Sequence, residues 1–124
     1  MPDEVDEIIE FVIKHGDGLY SNFSKEKLRN VTRLHLNYGT CMVIRDDNDS
    51  ICAVARWNEF GNIAKVLDVV IRDDYRKPKM LKMMLALGVS KHNHIRFIKF
   101  ERGFKYPGRR PKLYSVAELL KRSR

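Results

Sequence analysis

A chain of 124 residues, 44% of them apolar, is sized for one domain with a substantial core, here residues 1–124 ending in a basic segment, 94–124. Its 24 Lys/Arg against 16 Asp/Glu leave a formal charge of +8, which favours anionic partners over cationic ones. No apolar run approaches the ~20 residues that span a bilayer, and Met1-Pro2-Asp3-Glu4 is acidic where a secretory leader is basic and then apolar, so a soluble, cytoplasmic protein is expected.

Asp3 is placed to cap a helix whose apolar stripe is Val5, Ile8, Ile9 and Val12, with Lys14 and His15 in its last turn and Gly16 as its stop. Residues 17–23 link it to a second helix, which begins at Ser24, carries Leu28, Val31 and Leu34, and ends before Asn37 and Gly39. Cys41 to Ile44 and Ile51 to Trp57 flank Asp46-Asp47-Asn48-Asp49-Ser50, a run of turn formers, which predicts a β-hairpin. Cys41 and Cys52 lie in these two segments without a second pair, so buried reduced thiols are expected. Gly61-Asn62 makes a second turn, Ile63 to Arg72 the next strand, and Lys77 to about Val89 a helix. Met80, Met83 and Met84 with three leucines make that helix apolar nearly all round; most is core, and any exposed remainder would offer a surface to a second copy. Phe97, Ile98 and Phe100 favour a strand over His94 to Arg102. A Pro/Gly-broken loop, Gly103 to Lys112, then Leu113-Tyr114-Ser115, lead to a short terminal helix with Ser115 and Glu118 as its capping box. The fold class is α/β (α+β): two N-terminal helices, a central mixed, mostly antiparallel sheet, and a central crossover helix.

The joint between residues 66 and 85 carries the chemical interest. A helix N-terminus exposes backbone N–H groups and the positive end of its dipole, so a strand, loop and helix bearing Arg76, Lys77 and Lys79 suit an anion. Read from these residues alone, the joint is equally an ordinary connection with solvated lysines. Its form, an apolar strand, the pair Tyr75-Arg76 and a tight basic loop entering a helix, resembles the signature loop of the GNAT superfamily of acyl-coenzyme A N-acyltransferases. In that family the loop reads Gln or Arg, two variable residues, Gly, one variable residue, Gly or Ala. Here Lys79 and Leu81 stand at the two small positions, and Pro78 removes one N–H donor. The element order also resembles the GNAT core after its first strand, in an abbreviated form without the usual final helix and hairpin. The resemblance implies acetyl-coenzyme A as cofactor, bound by Val70, Ile71, Arg76, Lys77, Lys79, Met80 and Leu81. It further implies that the strands on either side of the central helix run parallel and splay around the acyl-carrying arm.

Acyl transfer to an amine needs a base for the ammonium proton, an amide N–H to polarise the thioester carbonyl, and an acid for the leaving thiolate. By position Asp68 is the candidate base, an acidic residue facing opposite to Leu67 and Val69 in an apolar strand, with Arg56 as a structural partner in the alternative. Tyr75 and Tyr114 are the candidate acids, though such tyrosines also pack with the hydroxyl at a rim. His92 and His94 would share a strand face as metal ligands can, but no third ligand stands at a diagnostic spacing, so no metal is expected. There is no Ser-centred elbow, Walker-type loop or dinucleotide fingerprint, which removes the common hydrolase and nucleotide-triphosphatase readings.

Residues 1–93 contain 14 Lys/Arg and 14 Asp/Glu, so the net charge resides in 94–124, where Phe97, Phe100, Phe104 and Tyr106 interleave with the cations. A second reading is therefore a non-catalytic binding module of the same fold, gripping nucleic acid or another anionic partner through Arg102, Lys105, Arg109, Arg110 and Lys112. The amine acceptor is not legible in the chain.

Overall fold

The computed structural model describes residues 4–16, 18, 22–76, 85–100 and 112–122. They form helices α1 (Glu4–His15) and α2 (Lys25–Tyr38), strands β1 (Cys41–Arg45), β2 (Ile51–Phe60) and β3 (Ile63–Ile71), and a 3-10 turn at Asp73–Tyr75. Helical residues 85–89 (α3), strands β4 (Phe97–Phe100) and β5 (Lys112–Ser115), and helix α4 (Val116–Arg122) follow. The strands make one five-stranded sheet in the order β1-β2-β3-β4-β5, parallel between β3 and β4 and antiparallel at β1/β2 and β4/β5. This is the mixed α/β arrangement the element order predicts. The chain divides into two compact units, Met1–Arg56 with Val69–Arg76, and Trp57–Asp68 with Lys77–Arg124. No helix among the described residues is long and apolar enough to cross a membrane.

In the first unit, α1 places Glu4, Asp6 and Glu7 in its first turn and Lys14 and His15 in its last, matching its dipole. Its stripe Val5, Ile8, Ile9 and Val12, joined by Phe11, is buried with Leu28, Ile51, Val54 and Val70. Ser24 caps α2, its Oγ accepting the Lys27 N–H at 3.1 Å, and Gly39 closes it at φ 70°, a left-handed position glycine enters without strain. The helix runs to Tyr38, past the expected end before Asn37. Its buried stripe also differs from the expected Leu28, Val31 and Leu34. Leu28, Thr32 and His35 are buried instead, while Leu34 is 53% exposed, because steps of four and three hold one face of a 3.6-residue turn and steps of three drift off it. His35 is tolerated there because its Nδ1 lies 2.7 Å from the Thr40 hydroxyl. Arg45 on β1 grips Glu7 of α1 through two hydrogen bonds of 2.8 and 2.9 Å, and this pairing holds the Glu7 carboxyl below its ordinary value. Cys41 is half-buried and Cys52 buried, both as free thiols.

In the second unit Trp57, Ala64, Val66, Leu85, Ala86, Val89, Ile95, Ile98, Val116 and Leu119 are buried. The expected strand over His94 to Arg102 is shorter at its start. Ile95 donates to the His92 carbonyl in a turn, and β4 opens only at Phe97. Leu113 to Ser115, expected as a connection, belongs to β5, because Lys112–Ser115 completes the ladder beside Phe97–Phe100. Ser115 caps α4 as expected, its Oγ accepting the Glu118 N–H at 3.3 Å. The expected helix from Lys77 and the expected loop 103–111 lie largely outside the described residues.

Ile98 is fully buried on β4, in register with Ala64 and Tyr114. Replacing it with Ala should cost about 2–5 kcal/mol in urea unfolding, whereas Leu113→Ala, at a residue 53% exposed, should stay within roughly 0.5 kcal/mol.

Candidate active site

Side chains alternate along β3. In the second unit Ala64 and Val66 are buried, and Asp68 stands half-buried in the same row, while Leu67 on the other side is 43% exposed. Asp68 and its neighbour Val69 are both half-buried. Within the second unit, Tyr114 is opposite Ile98, itself opposite Ala64, so Tyr114 and Asp68 share one face of the sheet. The Tyr114 ring meets Phe100 edge-on at 5.6 Å between centroids, which orients the phenol. The parallel register pairs Ile63–Val66 with Phe97–Phe100, and β3 continues from there to Ile71.

The first unit holds the exit from β3. Val70 is buried in the core and Ile71 is half-buried. Arg72 continues the strand's bonding by donating its N–H to the Cys52 carbonyl at 2.9 Å. Its guanidinium then bridges two carboxylates, Asp46 at 2.9 Å and Asp74 at 2.6 and 3.0 Å, and lies 5.1 Å from the Tyr75 ring centroid. Asp46 also accepts the N–H groups of Asn48 and Ser50 at 2.9 and 3.0 Å. The Ser50 bond first, then Arg72, hold the Asp46 carboxyl below its ordinary value, and Arg72 does the same to Asp74. Burial, then the charge of Asp46, push the Tyr75 phenol up, and burial likewise raises the Cys52 thiol.

Arg76 follows the 3-10 turn. Its N–H goes to the Asp73 carbonyl at 3.3 Å, and its Nε to the Ile71 carbonyl at 3.2 Å beside the Asp73 carboxylate at 3.3 Å. That carboxylate is 91% exposed, so the ion pair is a screened surface contact. Lys77, Lys79, Met80 and Leu81 lie outside the described residues. The structure thus places Tyr75 and Arg76 in one unit and Asp68 and Tyr114 in the other.

Sequence reasoning missed Asp46 and Arg72, reading the first as a turn former and the second as the last strand residue. The available signal was an arginine ending an apolar strand, where a buried N–H ladder meets a charged head that needs partners. It also missed Glu59. His92 and His94 share no strand face; they lie in the turn ahead of β4, on either side of the Glu59 carboxylate, at 3.0 and 3.3 Å. The Trp57 indole donates to the same carboxylate at 3.1 Å. Among the described residues, no group of three or more His, Cys, Asp or Glu is arranged to hold a metal ion.

No protein-family model matches the chain. No curated protein matches it either. Solved structures do. The GNAT family N-acetyltransferase YhbS from Escherichia coli in complex with CoA is matched over 95% of this chain and 79% of its own, at 11% identity and a TM-score of 0.58. The PaiA N-acetyltransferase from Thermoplasma acidophilum in complex with coenzyme A is matched over 82% and 76%, at 16% identity and a TM-score of 0.56. An acetyltransferase of the GNAT family from Bacillus anthracis is matched over 63% of this chain at 11% identity and a TM-score of 0.46, and the chain spans about half of that protein, 49%. The likenesses to the Escherichia coli and Thermoplasma acidophilum structures show the GNAT fold.

Because the Asp46 and Asp74 carboxyls titrate lower in the folded chain than in the unfolded one, the stability they contribute is complete above the ordinary carboxylate pKa of ~3.9 and lost as pH falls through their depressed values. Thermal unfolding followed from pH 7 to pH 3 should therefore decline less steeply for Arg72→Gln than for the wild type. Parallel curves would show that the clasp carries no proton linkage.

Proposed function

We propose that the chain is a GNAT-like N-acyltransferase that moves the acetyl group of acetyl-coenzyme A to an amine. The observation that supports it is the fold likeness, over 95% of the chain, to an N-acetyltransferase structure that contains CoA. The described residues fit such a cofactor at the point where they can be tested. The Arg76 guanidinium is half-exposed and its ionic partner is a solvated carboxylate, so it can exchange that partner for a phosphate. Arg72, by contrast, is held by two carboxylates, Asp46 and Asp74, and Lys77 and Lys79 are further candidates by sequence.

A bound acyl-coenzyme A would supply a thioester, an acyl carbon already activated toward amines. Asp68, on the buried face of β3, is assigned to take the ammonium proton at a carboxylate oxygen, freeing the nitrogen lone pair to form the C–N bond. Tyr75 and Tyr114 are the alternatives for donating the phenolic proton that the sulfur gains as the C–S bond breaks. Burial raises the Tyr75 pKa, which keeps the phenol protonated but makes it a weaker donor to a thiolate.

Calorimetry with acetyl-coenzyme A should show binding, weakened by Arg76→Ala. In thiol-release assays over a panel of amines, Asp68→Asn should lower turnover roughly 10²–10⁴-fold with binding retained. No binding heat at millimolar acetyl-coenzyme A would overturn the proposal.

A further inference from the structure

Within the second unit, the turn ahead of β4 and the start of α4 border a cleft of about 500 Å³, a size that suits a small ligand. Its apolar floor is Ile95 and Val116, both buried, flanked by half-buried Phe97 and Leu120. Arg96 stands at the rim, its side chain exposed and its backbone held. The Arg96 N–H donates to the Asn62 carbonyl at 2.8 Å, and its own carbonyl accepts the Val116 N–H at 2.9 Å, which ties the residue to the β2–β3 turn and to α4 at once. His92 lines the same cleft, and a residue outside the cleft fixes its ring. The His92 Nδ1 meets the Glu59 carboxylate at 3.0 Å, and that carboxylate also accepts the Trp57 indole N–H at 3.1 Å and lies 3.3 Å from the His94 Nε2.

The lining selects by charge. Among the described residues no carboxylate lines the cleft, and the segments that form it, 85–100 and 112–122, carry six Lys/Arg against one acidic residue, Glu118. Arg29, Arg45, Arg72 and Arg76 each meet a carboxylate. Arg96 meets none among the described residues, so its guanidinium keeps its donors for an incoming anion. The Ser115 Oγ accepts the Glu118 N–H at 3.3 Å, which leaves its hydroxyl hydrogen to donate into the cleft it lines. One guanidinium fork matches and neutralises one planar carboxylate, whereas it would leave a phosphate dianion half compensated. We propose that this cleft binds a small organic monocarboxylate, its head on Arg96 and Ser115 and its apolar body against Ile95, Val116 and Leu120. The site lies beside the start of β3, where Ile63 is paired with Phe97, and none of its residues is assigned to acyl transfer.

The test is a titration of the isotope-labelled full chain, followed by two-dimensional amide NMR spectra, with phenylacetate as the probe. Saturable shifts should appear at residues 90–97 and 115–120, in the millimolar range expected of so small a ligand. Phenylacetamide, of the same shape without the charge, should bind about fivefold or more weakly. Arg96→Gln should weaken phenylacetate about fivefold or more and leave phenylacetamide unchanged, and the backbone bonds of Arg96 survive that substitution. Lys91→Gln, at an exposed cation of the same turn outside the cleft, is the charge-matched control and should change neither affinity. Unfolding midpoints verify that both variants fold. The proposal is overturned if the shifts at 90–97 and 115–120 are absent or do not saturate, or if acid and amide bind equally, which would leave only an apolar contact. Equal losses in Arg96→Gln and Lys91→Gln would assign binding to overall charge and overturn it as well. Tighter binding of phenyl phosphate than of phenylacetate, lost in Arg96→Gln, would assign the cleft to phosphate esters instead.

Discussion

The register of β3 is the constraint from which the remaining features follow. Side chains on a strand alternate faces, so the turn at Gly61-Asn62 and the parallel pairing of Ile63–Val66 with Phe97–Phe100 decide together which residues are inside. A slip of one residue would expose Ala64, Val66 and Val70 and bury Lys65 and Leu67, losing apolar burial and desolvating an ammonium group at once. Gly61 sits at φ 58° with open space around its missing Cβ, so it is the backbone angle, not crowding, that favours glycine at this turn. The same register sets Asp68 among buried apolar neighbours and Lys65 beside Lys99.

The exit from β3 is organised differently. There the chain leaves the ladder, and order is supplied by ionic contacts around a single guanidinium. Arg72 joins the β1–β2 loop, through Asp46, to the turn after β3, through Asp74, while Asp46 uses its remaining oxygen to close its own loop on Asn48 and Ser50. The charge of Arg72 is thereby neutralised locally, and Arg76, one turn on, meets the Asp73 carboxylate. This strand end thus combines the buried Val70 with an ionic clasp around Arg72.

Much of the fold was legible because local and global signals agree. Ser24 and Gly39 mark the limits of α2, five turn formers mark the first hairpin, and Gly61-Asn62 marks the second. Failures have specific physical origins. The spacing of Leu28, Val31 and Leu34 points to one stripe, but Thr40 satisfies His35 and the helix buries Leu28, Thr32 and His35. Lys112–Ser115 has no strand pattern of its own and owes its conformation to β4, a tertiary partner that no local window contains. Of the candidate site residues, Asp68 was singled out because it is the one acidic residue in an apolar strand, and Val70 stands on the resemblance to the GNAT signature. Asp46, Arg72 and Glu59 were not, since each acts through partners distant in sequence or set on another element. The loop residues Lys77, Lys79, Met80 and Leu81 stand on the resemblance to the GNAT signature.

The two ends of the sheet carry one more consequence. In the order β1 to β5 the outermost strands are β1, five residues long and irregular between Ile44 and Arg45, and β5, four residues long. Each offers a row of backbone donors and acceptors to any other chain that approaches. A short row, broken on one side by a shift of register, gives an incoming strand too few consecutive bonds to dock and propagate. Brevity at both margins therefore works against edge-to-edge polymerisation, leaving the broad interior of the sheet free to carry exposed phenylalanine and leucine without the chain becoming a template for fibres.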